Sequence, residues 1–460
     1  MSINISKDEI KKCTKLVVSE NKRFLQYENG EPFFYLGDTA WLLFINLTRE
    51  EAEIYLEDRR KKGFNVIQAM LVHEMPERNI YGREPFYDLD FSKPDTSKIK
   101  DTDGNEIYSY WDHVDYITRL AAKKGMYIAM VPVWGSVVKG GHISKEGAHN
   151  YAKWIAERYK DEPNIIWFVG GDIYGYQHTE LWLDMANTIK SIDRNHLMSF
   201  HPFGGTQSST WFHEEPWLDF NMCQSGHRRY DQAEQVGNII GEDNWKFIQN
   251  DYTRVPIKPT FDGEPSYEGI PHGLHDTSQP RWKDEDCRRY AYWAVFAGAF
   301  GHTFGNSAIM QMNKPNFGKP NYGVDSYWYE AINDSGASRM IHLKNLILSR
   351  PYFERIPDQS VIHGDEGFRY DRVIATRGSS YLFAYTYTGR PFEINMGIIS
   401  GRYVNAWWYS PKDGSVQFIG KYENSGVCRF APPGEKADGN DWVLVLDDAE
   451  CAYKEPGVLE

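Results

Sequence analysis

Residues 48–70 read TREEAEIYLEDRRKKGFNVIQAM, and the order of residue types within them decides the fold. Thr48 with Glu51 three places on is a capping box that opens a helix, and Ala52, Tyr55 and Leu56 share one face of that helix. Lys61 and Lys62 put cations in its last turn, where the helix dipole favours them, and Gly63 supplies a left-handed cap. The chain then passes straight into an apolar run beginning Phe64-Asn65-Val66-Ile67. The same switch recurs at Lys123-Lys124-Gly125, followed by Met126-Tyr127-Ile128-Ala129. A helix-to-strand junction used twice is the signature of an alternating α/β chain.

Working outward, Trp111, Val114, Ile117 and Leu120, and then Tyr151, Trp154, Ile155 and Tyr159, recur at helical spacing in stripes wide enough to cover a sheet. Apolar strand candidates are 33–36, 64–70, 126–133, 164–169, 197–200, 219–222, 259–261 and 301–304. Eight strands close a barrel, and their near-continuous apolarity suits a parallel sheet buried on both faces, so residues 32–349 are expected to form a (β/α)8 TIM barrel. A doubly wound open sheet is the second choice.

A long helical stretch from Asp325 to Ser349 ends this region, and the period changes at Pro351. Residues 381–387, 404–409 and 442–446 alternate with period two, broken by turns at Thr388-Gly389, Lys412-Asp413-Gly414 and Pro432-Pro433-Gly434. The expected division is therefore a barrel domain over 1–350 and a C-terminal antiparallel β-sandwich over 351–460. Val17 to Tyr27 is expected to add a strand to one of them, and Trp407-Trp408 to sit half in the sandwich core and half at the domain interface.

Composition narrows the function. A net charge of -13 repels a phosphate backbone, which argues against nucleic acid as a partner. Aromatic residues at 15% exceed what packing a core of this size requires and suggest flat stacking surfaces. Five widely spaced cysteines form no C-x-x-C pair, so they read as free thiols, neither a disulfide framework nor a metal site. The opening MSINISKDEIKK has no apolar leader core, and no run approaches the ~20 apolar residues of a membrane span. As it stands the chain reads as cytoplasmic, or as periplasmic or extracellular if a leader was removed. Nothing in it specifies an oligomer.

Dinucleotide, P-loop, serine-elbow and zinc-protease signatures are all missing, and His73-Glu74 lacks a second histidine. What remains is carboxylates beside aromatic residues at strand ends, where barrel enzymes carry their chemistry. Asp172 ends the fourth candidate strand in Trp167-Phe168-Val169-Gly170-Gly171-Asp172, where two glycines let backbone approach a ligand; a turn or cap aspartate is the competing reading. Glu264 ends the seventh, held before Pro265 with Tyr267 nearby, and suits a fixed nucleophile; Asp262 and Glu268 compete with it, and a surface ion pair is the plain alternative. Carboxylates on strands four and seven can face each other across the mouth, as glycosidic bond cleavage requires.

The motif set Tyr35-Leu-Gly-Asp-Thr-Ala-Trp41, Gly63-Phe-Asn-Val-Ile67, Pro132-Val-Trp134, Gly170-Gly-Asp172, His201-Pro202, Gly263-Glu-Pro-Ser-Tyr-Glu268 and Asn440-Asp-Trp-Val-Leu-Val-Leu446 resembles the apiosidase-like bacterial glycoside hydrolases, whose C-terminal module carries a collagen-binding label. The resemblance spans nearly the whole chain. It implies a barrel followed by a sandwich, with Asp172 as acid/base and Glu264 as nucleophile, and no metal or cofactor. The absent export signal departs from many relatives.

Asp38, Trp41, His73, Glu74, Trp134, His201, Gln224, His227, Tyr267 and His302 are the candidate carbohydrate-binding residues, supplying aromatic faces and polar contacts for hydroxyls at the strand ends. Three functions follow: a glycoside hydrolase acting on a plant or microbial polysaccharide or oligosaccharide, a carbohydrate-binding protein on an inactive barrel, and an adhesive protein. Two opposed carboxylates favour the first over the second, and the third has no repeat or basic patch behind it.

Overall fold

The structure, a computed structural model, describes residues 13–232, 239–318 and 320–459; the first twelve, read above for the absence of a leader, lie outside them. Eight parallel strands build the barrel wall: β1 (Tyr35–Thr39), β2 (Val66–Met70), β3 (Tyr127–Val131), β4 (Ile165–Ile173), β5 (Met198–Pro202), β6 (Asn221–Gln224), β7 (Thr260–Asp262) and β8 (Gly301–Phe304). They pair in chain order from β1 to β5 and from β6 to β8, and β8 returns to β1 from Gly301↔Tyr35 to Phe304↔Asp38. The β5–β6 seam has no ladder. It is held by the Asp219 N–H donating to the Met198 carbonyl at 2.9 Å and the Ser199 hydroxyl donating to the Phe220 carbonyl at 2.7 Å.

Between the strands lie α1 (Arg49–Lys61), α2 (Tyr110–Lys123), α3 (Lys145–Tyr159), α4 (Thr179–Ile192), α5 (Asn244–Tyr252) and α6 (Asp284–Phe296), and α7 (Ser335–Leu348) follows β8. The Thr48 hydroxyl accepts from the Glu51 N–H at 3.2 Å while the Glu51 carboxylate accepts from the Thr48 N–H at 2.8 Å, completing the box that starts α1. The last helix is shorter than its periodicity suggests. Its first turn begins at Ser335 because Glu268 captures the Gly336 N–H at 3.1 Å and Asn306 holds Asp334 at 2.9 Å, which ends the preceding segment as a separate short helix, Trp328–Ala331.

Inside the barrel, Tyr35, Phe168, Phe220 and Phe300 surround Phe261 at ring-centroid distances of 4.9, 6.3, 5.8 and 4.9 Å. This plug takes up part of the aromatic excess that composition assigned to stacking surfaces. Antiparallel strands Leu16–Val18, Leu25–Tyr27 and Pro32–Phe33 lie at the N-terminal end of the wall, where Phe33 packs on Tyr127 at 5.3 Å. With that end filled, the opposite end is left for a site.

The C-terminal sandwich sets a six-stranded antiparallel sheet, in the order Ile356–Pro357, Val373–Arg377, Tyr381–Thr386, Trp442–Asp448, Tyr403–Tyr409, Val416–Glu423, beside a three-stranded one, Ile362–His363, Phe392–Asn395, Val427–Phe430. Strand alternation serves two cores. Leu382, Ala384, Leu444 and Leu446 fill the sandwich, whereas Tyr381, Phe383, Tyr385, Val443 and Val445 join the barrel core. Tyr385 stacks on Tyr292 of α6 at 4.8 Å. Trp408 is buried in the sandwich, and Trp407 packs against Phe418 and the edge of the barrel core. Two buried bidentate pairs, Arg350–Asp447 and Arg288–Asp441, cross the same boundary. All five cysteines are free thiols, and among the described residues no helix is long and apolar enough to cross a membrane.

Candidate active site

β4 extends past its expected end and carries the Gly170-Gly171-Asp172 step within it. The three residues have φ of 102°, 112° and 45°, a run of left-handed backbone that bends the strand into the barrel mouth. Glycine is obligatory there: a Cβ on Gly171 would lie 2.3 Å from Trp134 Cε3, and one on Gly170 would lie 2.6 Å from the His201 carbonyl. Asp172 has no such freedom and sits in a sparsely populated conformation, as residues at working sites do when their surroundings hold them.

Glu264 follows β7 and is 5% exposed. Its backbone is tied on both sides: the Gly226 N–H donates to the Glu264 carbonyl at 3.0 Å, and the Gln68 amide donates to the Gly263 carbonyl at 2.9 Å. Its carboxylate faces two imidazoles, His201 Nε2 at 3.0 Å from Oε2 and His227 Nε2 at 3.3 Å from Oε1. The His201 ring is positioned by its Nδ1, 3.1 Å from the Pro202 carbonyl, and by Trp41 and Trp134, whose centroids lie 5.2 and 5.1 Å away. Burial works to raise the Glu264 pKa, but the two histidines outweigh it and hold the carboxyl at about 2.

A carboxylate oxygen of Asp172, one of Glu264 and a ring nitrogen of His201 all lie within 4.8 Å of one another. Burial, then the neighbouring Glu264 charge, pushes Asp172 up to about 6, against the opposing pull of His201 and Gln224. Two adjacent carboxyls are thereby set to opposite protonation preferences. The same three atoms form the one His and carboxylate group among the described residues close enough to hold a metal ion.

A cleft of about 380 Å³ opens above this pair. Of the residues expected from sequence, Trp41, His73, Trp134, Asp172, Gln224, His227 and Glu264 line it. His201 and Tyr267 stand behind Glu264, the Tyr267 ring packing on His227 at 4.5 Å. Three expectations need correction. Asp38 points away from the cleft into the helix layer, paired with Arg59 at 2.6 Å and the Tyr55 hydroxyl at 2.5 Å, because alternate residues of a strand face opposite sides. Glu74 is exposed on the loop after β2, outside the lining, and its neighbour Glu77 is the buried carboxylate there, accepting the His73 and Glu74 N–H groups. His302 is a core residue of β8, wholly buried with neither ring nitrogen bonded among the described residues, and burial pushes it down to about 3.

The competitors of Glu264 are also accounted for. Asp262 accepts from Ser225 and Asn244 at 2.6 and 3.0 Å, and Glu268 serves the start of α7. The cleft adds aromatic residues that sequence reasoning missed, Tyr174, Phe203 and Tyr322. Tyr174 follows directly on β4, whose left-handed step at 170–172 breaks the period-two alternation that would have signalled it. Tyr322 arrives from the long segment after β8, and burial, then the Asp172 and Glu264 charges, pushes its phenol up to about 12.

The family model described as the apiosidase-like catalytic domain matches residues 19–354, and the one described as "Putative collagen-binding domain of a collagenase" matches residues 356–447. None of the curated proteins matches. Among solved structures, one titled glycoside hydrolase is 53% identical with a TM-score of 0.90, covering 95% of this chain and 97% of its own. A glycoside hydrolase family 5 structure from Bacteroides vulgatus ATCC 8482 is 48% identical with a TM-score of 0.91, covering 97% of this chain and 96% of its own. With the catalytic-domain match over most of its length and relatives of that identity along its whole course, this chain belongs to the apiosidase-like family of glycoside hydrolases.

Proposed function

We propose that the enzyme cleaves a glycosidic bond in a plant or microbial polysaccharide or oligosaccharide with retention of configuration, Glu264 acting as nucleophile and Asp172 as acid and then base. The observation that carries this reading is the approach of one Asp172 carboxylate oxygen to within 4.8 Å of one Glu264 carboxylate oxygen. Retaining pairs stand roughly 5–5.5 Å apart, whereas inverting pairs need roughly 6.5–9.5 Å to admit a water between carboxylate and sugar. The protonation preferences suit the same division of labour. Glu264, kept ionised by His201 and His227, attacks the anomeric carbon. Asp172, protonated up to about pH 6, delivers its proton to the departing oxygen. Once that proton has left, the Asp172 carboxylate takes one from the water that cleaves the glycosyl ester, and both groups return to their starting states.

A carbohydrate-binding protein would use Trp41, Trp134 and Tyr174 equally well but has no use for a close carboxyl pair with divergent proton affinities. The test is a screen of aryl glycosides and pectic oligosaccharides with the first-formed anomer read by NMR. Retained configuration is expected; an inverted first product overturns the mechanism, and binding across the panel without turnover favours the binding protein.

A further inference from the structure

The C-terminal domain reaches the cleft through one buried carboxylate. Glu242 is fully buried and accepts from three directions: the Tyr230 N–H at 2.6 Å, Arg289 of α6 at 3.2 Å, and the hydroxyl of Tyr370, from the C-terminal domain, at 2.6 Å. Tyr230 and Glu242 belong to the two flanks, residues 225–232 and 239–243, of the segment that follows β6. These flanks supply Ser225, Gly226, His227, Ile239 and Gly241 to the cleft. They are pressed together at the wall itself, since a Cβ on Gly241 would lie 2.1 Å from the Ser225 carbonyl oxygen.

The surroundings of Tyr370 hold it in place. Arg289 lies over its ring at 4.6 Å and the Tyr230 ring is 5.7 Å away. Neighbouring residues of the same turn grip the barrel as well: Arg369, at a φ of 51°, lies over Tyr230 at 4.6 Å, and Arg372 over Trp245 at 3.7 Å. His227 has separate anchors, because its carbonyl accepts from Trp282 Nε1 at 3.1 Å and from the Gly273 N–H at 3.2 Å. Loss of the Tyr370 contact would therefore release the outer wall while leaving His227 beside Glu264.

We propose that Tyr370 is a positioning residue: by bonding Glu242 it sets the outer part of the cleft wall, Arg228 and residues 239–241, so that the C-terminal domain takes part in shaping the substrate site. The effect on substrate rests on the glycosidase reading above; the placement of the wall does not.

Tyr370→Phe in the full chain removes only the hydroxyl. Hydrogen exchange by mass spectrometry should show amides in both flanks exchanging about tenfold faster, the scale of one lost bond to a charged group. The control is Tyr381→Phe, which deletes a hydroxyl bonded to the Pro351 carbonyl at 3.0 Å, at the start of the C-terminal domain beside the junction and away from the cleft. It should leave the flanks unchanged. On a substrate found by the screen, Tyr370→Phe should raise KM about tenfold and leave kcat within about twofold. Unchanged exchange in the flanks overturns the positioning role, and an equal rise in the Tyr381→Phe control overturns it as general loosening. Faster exchange with an unchanged KM overturns the link to substrate. If no glycoside is turned over, the glycosidase reading fails and the exchange result still decides whether Tyr370 positions the wall.

Discussion

Asp172 and Glu264 bring carboxylate oxygens to within 4.8 Å of each other, and their surroundings drive them in opposite directions. Glu264 has an imidazole against each oxygen, at 3.0 and 3.3 Å, and stays ionised although buried. Asp172 has burial and the Glu264 charge against its ionisation, and its proton affinity rises. The Glu264 charge helps set Asp172, so a change to Glu264 is felt at both carboxyls.

Activity is expected to need Asp172 protonated and Glu264 ionised. On an aryl glycoside with a poor leaving group, kcat/KM should fall as pH rises through about 6, where Asp172 loses its proton, while Glu264, held at about 2, stays ionised across the acidic range above that value. A pH–rate profile that is flat from acidic to mildly alkaline conditions contradicts the assignment.

Separate substitutions divide the roles. Asp172→Ala should lose roughly 10²–10⁴-fold on natural linkages and far less on an aryl glycoside whose leaving group needs no proton. Glu264→Ala should fail on both, since a better leaving group does not replace the covalent partner. Azide should accelerate the Asp172 variant and yield a glycosyl azide of retained configuration, whereas rescue of the Glu264 variant would place azide on the opposite face. The reverse pattern exchanges the two roles.

Gly171→Ala tests the backbone that aims Asp172. Its Cβ would meet the Trp134 ring at 2.3 Å, and the residue would keep a φ of 112° only under strain. Loss of about 1–3 kcal/mol in stability is expected by denaturant unfolding, with a fall in kcat larger than any change in KM. Wild-type turnover would show that the site tolerates a displaced Asp172.

The domain boundary is expected to matter for folding. Arg350→Ala leaves Asp447 buried without its bidentate partner, which costs about 3–5 kcal/mol in comparable pairs, read as a lowered Tm. Residues 1–350 expressed alone should be poorly soluble, because Tyr292 and Phe296 of α6 lose the cover of Tyr385 and Phe383. A soluble, fully active fragment would show that the interface is dispensable.

Most of the fold is legible in residues 48–70 and their counterpart before Met126, because burial on both faces imposes continuous apolar strands and helix ends carry their own chemistry. Asp172 and Glu264 are legible as candidates for the same reason: each ends an apolar strand, and parallel strands deliver their C-terminal ends to one face. Only the tertiary structure decided which strand-end groups face the cleft. Asp38, Asp262 and His302 satisfy the same sequence pattern yet serve the helix layer or the core, since a side chain's direction depends on strand phase and on the partner that receives it. Tyr322 and Tyr370 carry no local signal at all. Tyr322 reaches the cleft and Tyr370 reaches Glu242 from distant segments, and what places them is the closure of the barrel and the docking of the second domain, contacts between residues far apart in the chain that no local pattern records.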